Sequence, residues 1–146
     1  MNKIVIGSDH GGYEYKQKII SHLEKLDYEI IDVGCHDKNS VDYPDIARDL
    51  ATIVIQENIR GILICGTGIG ISIAANKCHG IRAALCNDKF SAEMAMAHNN
   101  SNVLALGQRV IDENLALSIV DTWLDSKFEG DRHLRRVEKI SNLEAK

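Results

Sequence analysis

No apolar run in this chain approaches the roughly 18 residues that a membrane-crossing helix needs, so no helical anchor is expected. Met1 to Gly7 leads straight into a strand-like stretch with no small-residue cleavage site, which argues against a secretory leader. The four cysteines, Cys35, Cys65, Cys78 and Cys86, contain no C-x-x-C pair and offer no zinc framework. No block of like charges is long enough to read as a tail, and the formal net charge of -4 speaks against non-specific nucleic-acid binding. Internal repeats, low-complexity segments and linkers are absent as well. These gaps together predict one cytoplasmic domain with free thiols, and neither membrane nor nucleic acid as partner.

The 146 residues can bury an adequate core without disulfides, and 45 % apolar against 26 % charged is a globular balance. Short apolar runs alternate with longer amphipathic segments. Lys3 to Gly7, Glu29 to Val33, Gly61 to Cys65, Arg82 to Leu85 and Asn102 to Leu106 read as strands. Most are continuously apolar, as strands covered on both faces are. Helical stretches fall at about 12–26, 44–58, 70–78, 89–98 and 112–124, with a sixth at about 132–144 after Gly130. Ile19, Ile20, Leu23 and Leu26 form an apolar stripe on the first, and Leu115, Ile119, Val120 and Trp123 on the fifth. Pro44 suits the first turn of the second. The alternation predicts a three-layer α/β/α sandwich around a five-stranded parallel sheet, Rossmann-like, plus a C-terminal helix.

Ligands of such sheets bind beyond the carboxyl ends of the strands, so the polar residues there are the first candidates. Strand one ends in Gly7-Ser-Asp-His-Gly-Gly12. Asp9 and His10 suit sugar hydroxyls or a phosphate, and equally suit a helix cap and a solvated loop. Strand three ends in Cys65-Gly-Thr-Gly-Ile-Gly70, with a helix directly after it. Alternate glycines let several N–H groups face one concavity, and the helix adds its positive end, a nest for a phosphate or an oxyanion. It is not a nucleotide loop: Ile71 stands where the third Rossmann glycine belongs, and there is no G-K-[ST].

A thiol of ordinary pKa, about 8.5, is only about 3 % ionised at pH 7, but an amide nest favours its thiolate. Cys65 there could act as nucleophile or as base. A phosphatase loop would carry arginine at 71 and a nucleophile elbow glycine at 63, yet these are Ile71 and Leu63, which favours the base. Cys35, Cys78 and Cys86 lack such nests and read as packing residues, and His22, His36, His79 and His133 show no ligand spacing with them. No metal site is expected. Helix four ends in Ala97-His-Asn-Asn100, where His98 suits either acid–base work or the helix dipole. Gly107-Gln-Arg109 sets a cation past strand five, and Arg132 and Arg136, four apart, suit either a phosphate clamp or a solvated helix face.

The motifs Gly7-Ser-Asp-His-Gly11, Asp42-Tyr-Pro44, Ile64-Cys-Gly-Thr-Gly-Ile-Gly-Ile-Ser-Ile-Ala-Ala-Asn76, Gly80-Ile-Arg82, His98-Asn99 and Asn102-Val-Leu-Ala-Leu-Gly-Gln-Arg109, with the Arg132/Arg136 pair, span nearly the whole chain. In that order they resemble the type B ribose-5-phosphate isomerases, in the family shared with allose- and galactose-6-phosphate isomerases. The resemblance implies aldose–ketose isomerisation through an enediolate, without metal or redox cofactor. It implies Cys65 as base with Thr67 assisting, and the amides of Gly66, Thr67, Gly68, Ile69 and Gly70 around the enediolate. His98 would open the sugar ring. Asp9, Tyr43 and Asn99 would contact hydroxyls or ring oxygen, and His10, Arg109, Arg132 and Arg136 the phosphate. Family members with a later glutamate base carry serine where Cys65 stands, so this chain falls with the cysteine group. The resemblance also implies sheet order 2-1-3-5-4, and homodimers or pairs of dimers in which His98 and Asn99 reach the partner's site. A hexose phosphate preference such as for allose 6-phosphate, or a non-catalytic nucleotide- or phosphate-binding module on the same fold, are the competing readings.

Overall fold

Continuously apolar strands need cover on both faces, and two helical layers supply it. The computed structural model describes residues 2–144. The elements are β1 (Lys3–Ser8), α1 (Tyr13–Lys25), β2 (Glu29–Asp32), α2 (Tyr43–Glu57), β3 (Arg60–Cys65) and α3 (Ile69–Asn76). They continue with β4 (Ala83–Leu85), α4 (Lys89–Ala97), β5 (Val103–Gly107), α5 (Glu113–Asp125) and α6 (Arg132–Ser141). All the strand pairs are parallel, in the order β2-β1-β3-β5-β4 that the resemblance implied. The period-two alternation of side chains splits each apolar run between two cores. Ile4, Ile6, Ile62, Ile64, Leu104 and Leu106 face α1, α4 and α5. Val5, Leu63, Cys65, Val103 and Ala105 face α2 and α3. Cys65 is therefore the last side chain of the α2/α3 face.

The ends of several elements differ from the pattern reading, each for a local reason. A single 3-10 turn, His10–Gly12, precedes α1. Arg82 stays outside β4, since its N–H donates to the Asn102 side chain at 2.7 Å. α6 stops at Ser141, where the Asn142 N–H still reaches Glu138 O but the chain then turns. Leu26, assigned to the apolar stripe, caps α1 and is 52 % exposed.

One buried group was invisible in the pattern. Lys16 lies fully buried on α1, and its Nζ donates to Asp32 Oδ2 at 2.6 Å. The other oxygen of Asp32 accepts the Gly34 N–H at 2.9 Å. Gly34 O and Cys35 N in turn bond Ser8, both at 2.7 Å. This ion pair thus pins the loop after β2 against the end of β1. Such pairs lose about 3–5 kcal/mol when one partner alone is removed.

Candidate active site

Register decides what stands side by side at the carboxyl edge of a parallel sheet. Ser8 pairs with Ile64 and Cys65 with Gly107, so Asp9, Cys65 and Gly107 leave the sheet in one row. Asp9 turns the chain there: its Oδ1 accepts from Gly11 N at 2.9 Å and Gly12 N at 3.2 Å. The capping role is present, and both bonds use the same oxygen. His10 Nδ1 accepts the Val41 N–H at 3.3 Å, an arrangement that assigns the ring hydrogen to Nε2. Asp9 and His10, with residues 40–45, line a cavity of about 550 Å³.

The nest is built beside it. Cys65 is 5 % exposed, and its Sγ accepts the Gly68 N–H at 3.1 Å. Gly68 sits at φ +79°, and a side-chain carbon there would stand 2.5 Å from Leu85 Cδ1; only glycine serves. Thr67 Oγ1 accepts the Ile69 N–H at 3.2 Å. Two of the five amides expected to face an oxyanion are therefore already engaged, one by the sulfur itself. The first intrahelical bond of α3 runs from Ser72 N to Gly68 O at 3.2 Å, so the Gly70 and Ile71 amides precede it as unclaimed helix-start donors. Tyr43 closes over them: a side-chain carbon at Gly70 would lie 2.8 Å from its Oη. Arg109 covers the other end, 3.2 Å by Nη1 from where a Gly66 side chain would begin. Asp9, His10, Tyr43, Cys65 to Gly70 and Arg109 thus share one edge.

His98, Asn99, Arg132 and Arg136 do not join them. α4 runs back from Asp88, at the carboxyl edge, so His98 at its C-terminal cap lies at the amino edge, just before β5. Asn99 borders a cavity of about 510 Å³ there, with Asn76, Ile140 and Glu144. A larger one, about 730 Å³, opens on the same edge around Arg60 and Arg82. Glu129 N donates to Ala97 O at 3.0 Å and brings α6 to the end of α4. Arg132 and Arg136 are exposed, while His133 and Val137 turn inward. Within one chain the height of the sheet separates these four from Cys65.

At this second edge His98, Glu129 and His133 offer ligand atoms within 4.8 Å of one another. The two imidazoles stack with centroids 4.1 Å apart and planes 11° from parallel. Their in-plane lone pairs run side by side rather than converging on a point about 2.0–2.1 Å from both nitrogens, as zinc requires. The trio fits a metal poorly. Sequence reasoning passed over Glu129 because α6 begins only at Arg132, so its four-residue spacing to His133 is not a helical one.

The other cysteines behave as packing groups. Burial, then the nearby Asp88 carboxylate, pushes the Cys86 thiol up to about 11. A thiol that holds its proton longer in the folded state stabilises it fully below its unfolded value, and that stability drains as pH rises through the folded one. Wild-type stability should therefore fall between about pH 9 and 11 by about 2–3 kcal/mol more than that of Cys86→Ala. Urea denaturation at both ends of this window measures the difference; equal slopes for the two proteins would refute it.

No helix among the described residues is long and apolar enough to cross a membrane. The family model described as Ribose/Galactose Isomerase matches residues 4–140. Ribose-5-phosphate isomerase B of Escherichia coli K12 is 48 % identical over 145 residues, which cover 99 % of this chain and 97 % of that one. The solved ribose-5-phosphate isomerase B of Clostridium thermocellum is 55 % identical, with TM-score 0.95 over 97 % of this chain and 96 % of that one. A Mycoplasma genitalium ribose-5-phosphate isomerase B with bound ribulose-5-phosphate is 40 % identical, with TM-score 0.93 over 96 % and 94 %.

Proposed function

The chain belongs to the ribose/galactose isomerase family, and from that membership we propose that it interconverts ribose 5-phosphate and ribulose 5-phosphate with Cys65 as the base. The observation that carries the chemistry is the Cys65 sulfur held by the Gly68 N–H at the head of α3. A thiolate there is stabilised by a backbone donor and a helix N-terminus together. It takes the proton from C2 of the open-chain aldose, electrons move to the carbonyl oxygen, and an enediolate forms. The thiol then gives a proton to C1 while the O2 hydroxyl proton passes to O1, and the C2 carbonyl of the ketose forms. Backbone donors aimed at such developing charge are worth about 3–4 kcal/mol each in measured cases, and the Gly70 and Ile71 amides are the two unclaimed at the helix start. Thr67 keeps its hydroxyl hydrogen to donate to substrate, since its oxygen accepts from Ile69. Asp9 and Tyr43 border the cavity where sugar hydroxyls would lie, and His10 and Arg109 bring donors for the phosphate.

Ribose 5-phosphate is mostly a furanose, so one more group must open it. His98 can take the proton of the anomeric hydroxyl and return it to the ring oxygen as the C1–O bond breaks. That assignment requires a second copy of the chain. A homodimer would bring His98, Asn99, Arg132 and Arg136 of one protomer over the nest of the other. Ile69 and Ile73 beside the nest are 52 % and 57 % exposed, and Leu134 and Ile140 on α6 are 48 % and 44 %. These apolar side chains supply what a covered interface needs. A cytoplasmic setting suits the four free cysteines.

Turnover of ribose 5-phosphate and allose 6-phosphate side by side tests the substrate. A large preference for the pentose is expected. Preference for the hexose would transfer the chain to that activity, and binding of ATP with no turnover of either sugar would remove the enzymatic reading.

A further inference from the structure

The fold brings two side chains from outside α4 against the proposed ring-opening imidazole. His98 caps α4, Glu129 lies in the connection to α6, and His133 is the second residue of α6. Glu129 Oε1 stands 3.7 Å from His98 Nε2 and 3.6 Å from His133 Nε2. The backbone that carries it is fixed: the Glu129 N–H donates to Ala97 O, of the residue before His98, while the carboxylate itself is half-exposed. His133 is 7 % exposed, and its N–H donates to Gly130 O at 2.9 Å. Its ring lies flat against that of His98.

We infer that Glu129 and His133 are positioning residues for His98, the stack fixing the plane of its ring and the carboxylate holding its hydrogen on Nε2. Nδ1 is then the atom left to take the proton from the anomeric hydroxyl and give it to the ring oxygen. While the proton is on Nδ1 the imidazolium faces Glu129, as a histidine faces its carboxylate in a hydrolase triad. The present separations exceed a formed hydrogen bond, and catalytic contacts commonly tighten only in the complex with substrate. His133 competes less for the carboxylate as a cation. Its proton affinity is lowered by burial first, then by His98 and Arg132, with Arg136 adding and Glu129 opposing. The inference rests on the reading of His98 as the ring-opening group.

The experiment uses the full-length chain and two readouts. Turnover of ribose 5-phosphate requires ring opening. Exchange of a C1 hydrogen of ribulose 5-phosphate with deuterium oxide, followed by NMR, does not, because that ketose has no free hydroxyl at C5 and stays acyclic. In Glu129→Gln we expect kcat for ribose 5-phosphate to fall about tenfold or more, with KM and the exchange rate within about twofold of wild type. His133→Phe, which keeps a flat ring in the stack, should fall less. His98→Asn serves as the reference. The positioning role is overturned if His98→Asn lowers turnover selectively while Glu129→Gln leaves it within about twofold, or if Glu129→Gln lowers turnover and exchange alike. Should His98→Asn itself spare turnover, or depress both readouts equally, the ring-opening reading falls and takes this one with it.

Discussion

Cys65→Ala should lower kcat for ribose 5-phosphate by about a thousandfold or more, the expected size of a lost general base, with KM changed by no more than about threefold. In free energy this is about 4 kcal/mol of transition-state stabilisation. The substrate would be gripped by groups that the substitution leaves alone, among them His10 and Arg109 at the same edge. The variant should fold. Removing the sulfur leaves the Gly68 N–H without its acceptor, which costs about 1–3 kcal/mol, and a thermal melt run beside the kinetics would register that loss. A folded Cys65→Ala that retains more than about a tenth of wild-type kcat would dismiss the thiol as base.

The second large effect concerns assembly. If His98 serves the nest of a partner, then Cys65→Ala and His98→Asn are defective in different halves of one composite site. In a mixed dimer one site carries both lesions and the other carries neither. Random reassortment after joint refolding makes about half the dimers mixed, each with one sound site, so about a quarter of wild-type activity should return. Neither variant alone shows this gain. A single-chain site predicts no recovery, because every chain in the mixture still carries a lesion. The same recovery should appear when Arg132→Ala is paired with Cys65→Ala, if α6 contributes its phosphate contacts to the partner's site in the same way.

The parts of the site legible in the sequence are those whose chemistry is local. Cys65, Thr67 and the glycines up to Gly70 lie within six consecutive positions, and the turn they encode is what hands the Gly68 N–H to the sulfur. Asp9 was legible as a cap, and its bonds to Gly11 and Gly12 are made. The strands were legible because a run covered on both sides must be apolar at every position. Lys16 was not, because a cation on an apolar stripe reads as an error until Asp32, brought over from the next strand, appears opposite it. Glu129 was not, because nothing in its neighbourhood announces that Ala97 O will fasten it beside His98.

By itself the sequence determined the α/β alternation, the glycine nest after the third strand and the presence of a thiol at its head, since each follows from residue type and near-neighbour spacing. The tertiary structure alone decided that Asp9, Cys65 and Gly107 emerge in one row, that the nest spends two of its amides internally, and that His98 stands at the opposite edge beside Glu129 and His133. Those outcomes depend on strand register and helix direction, which arise from contacts between segments far apart in the chain. Local propensity carries no information about such distances, and so no spacing along the chain could have supplied them.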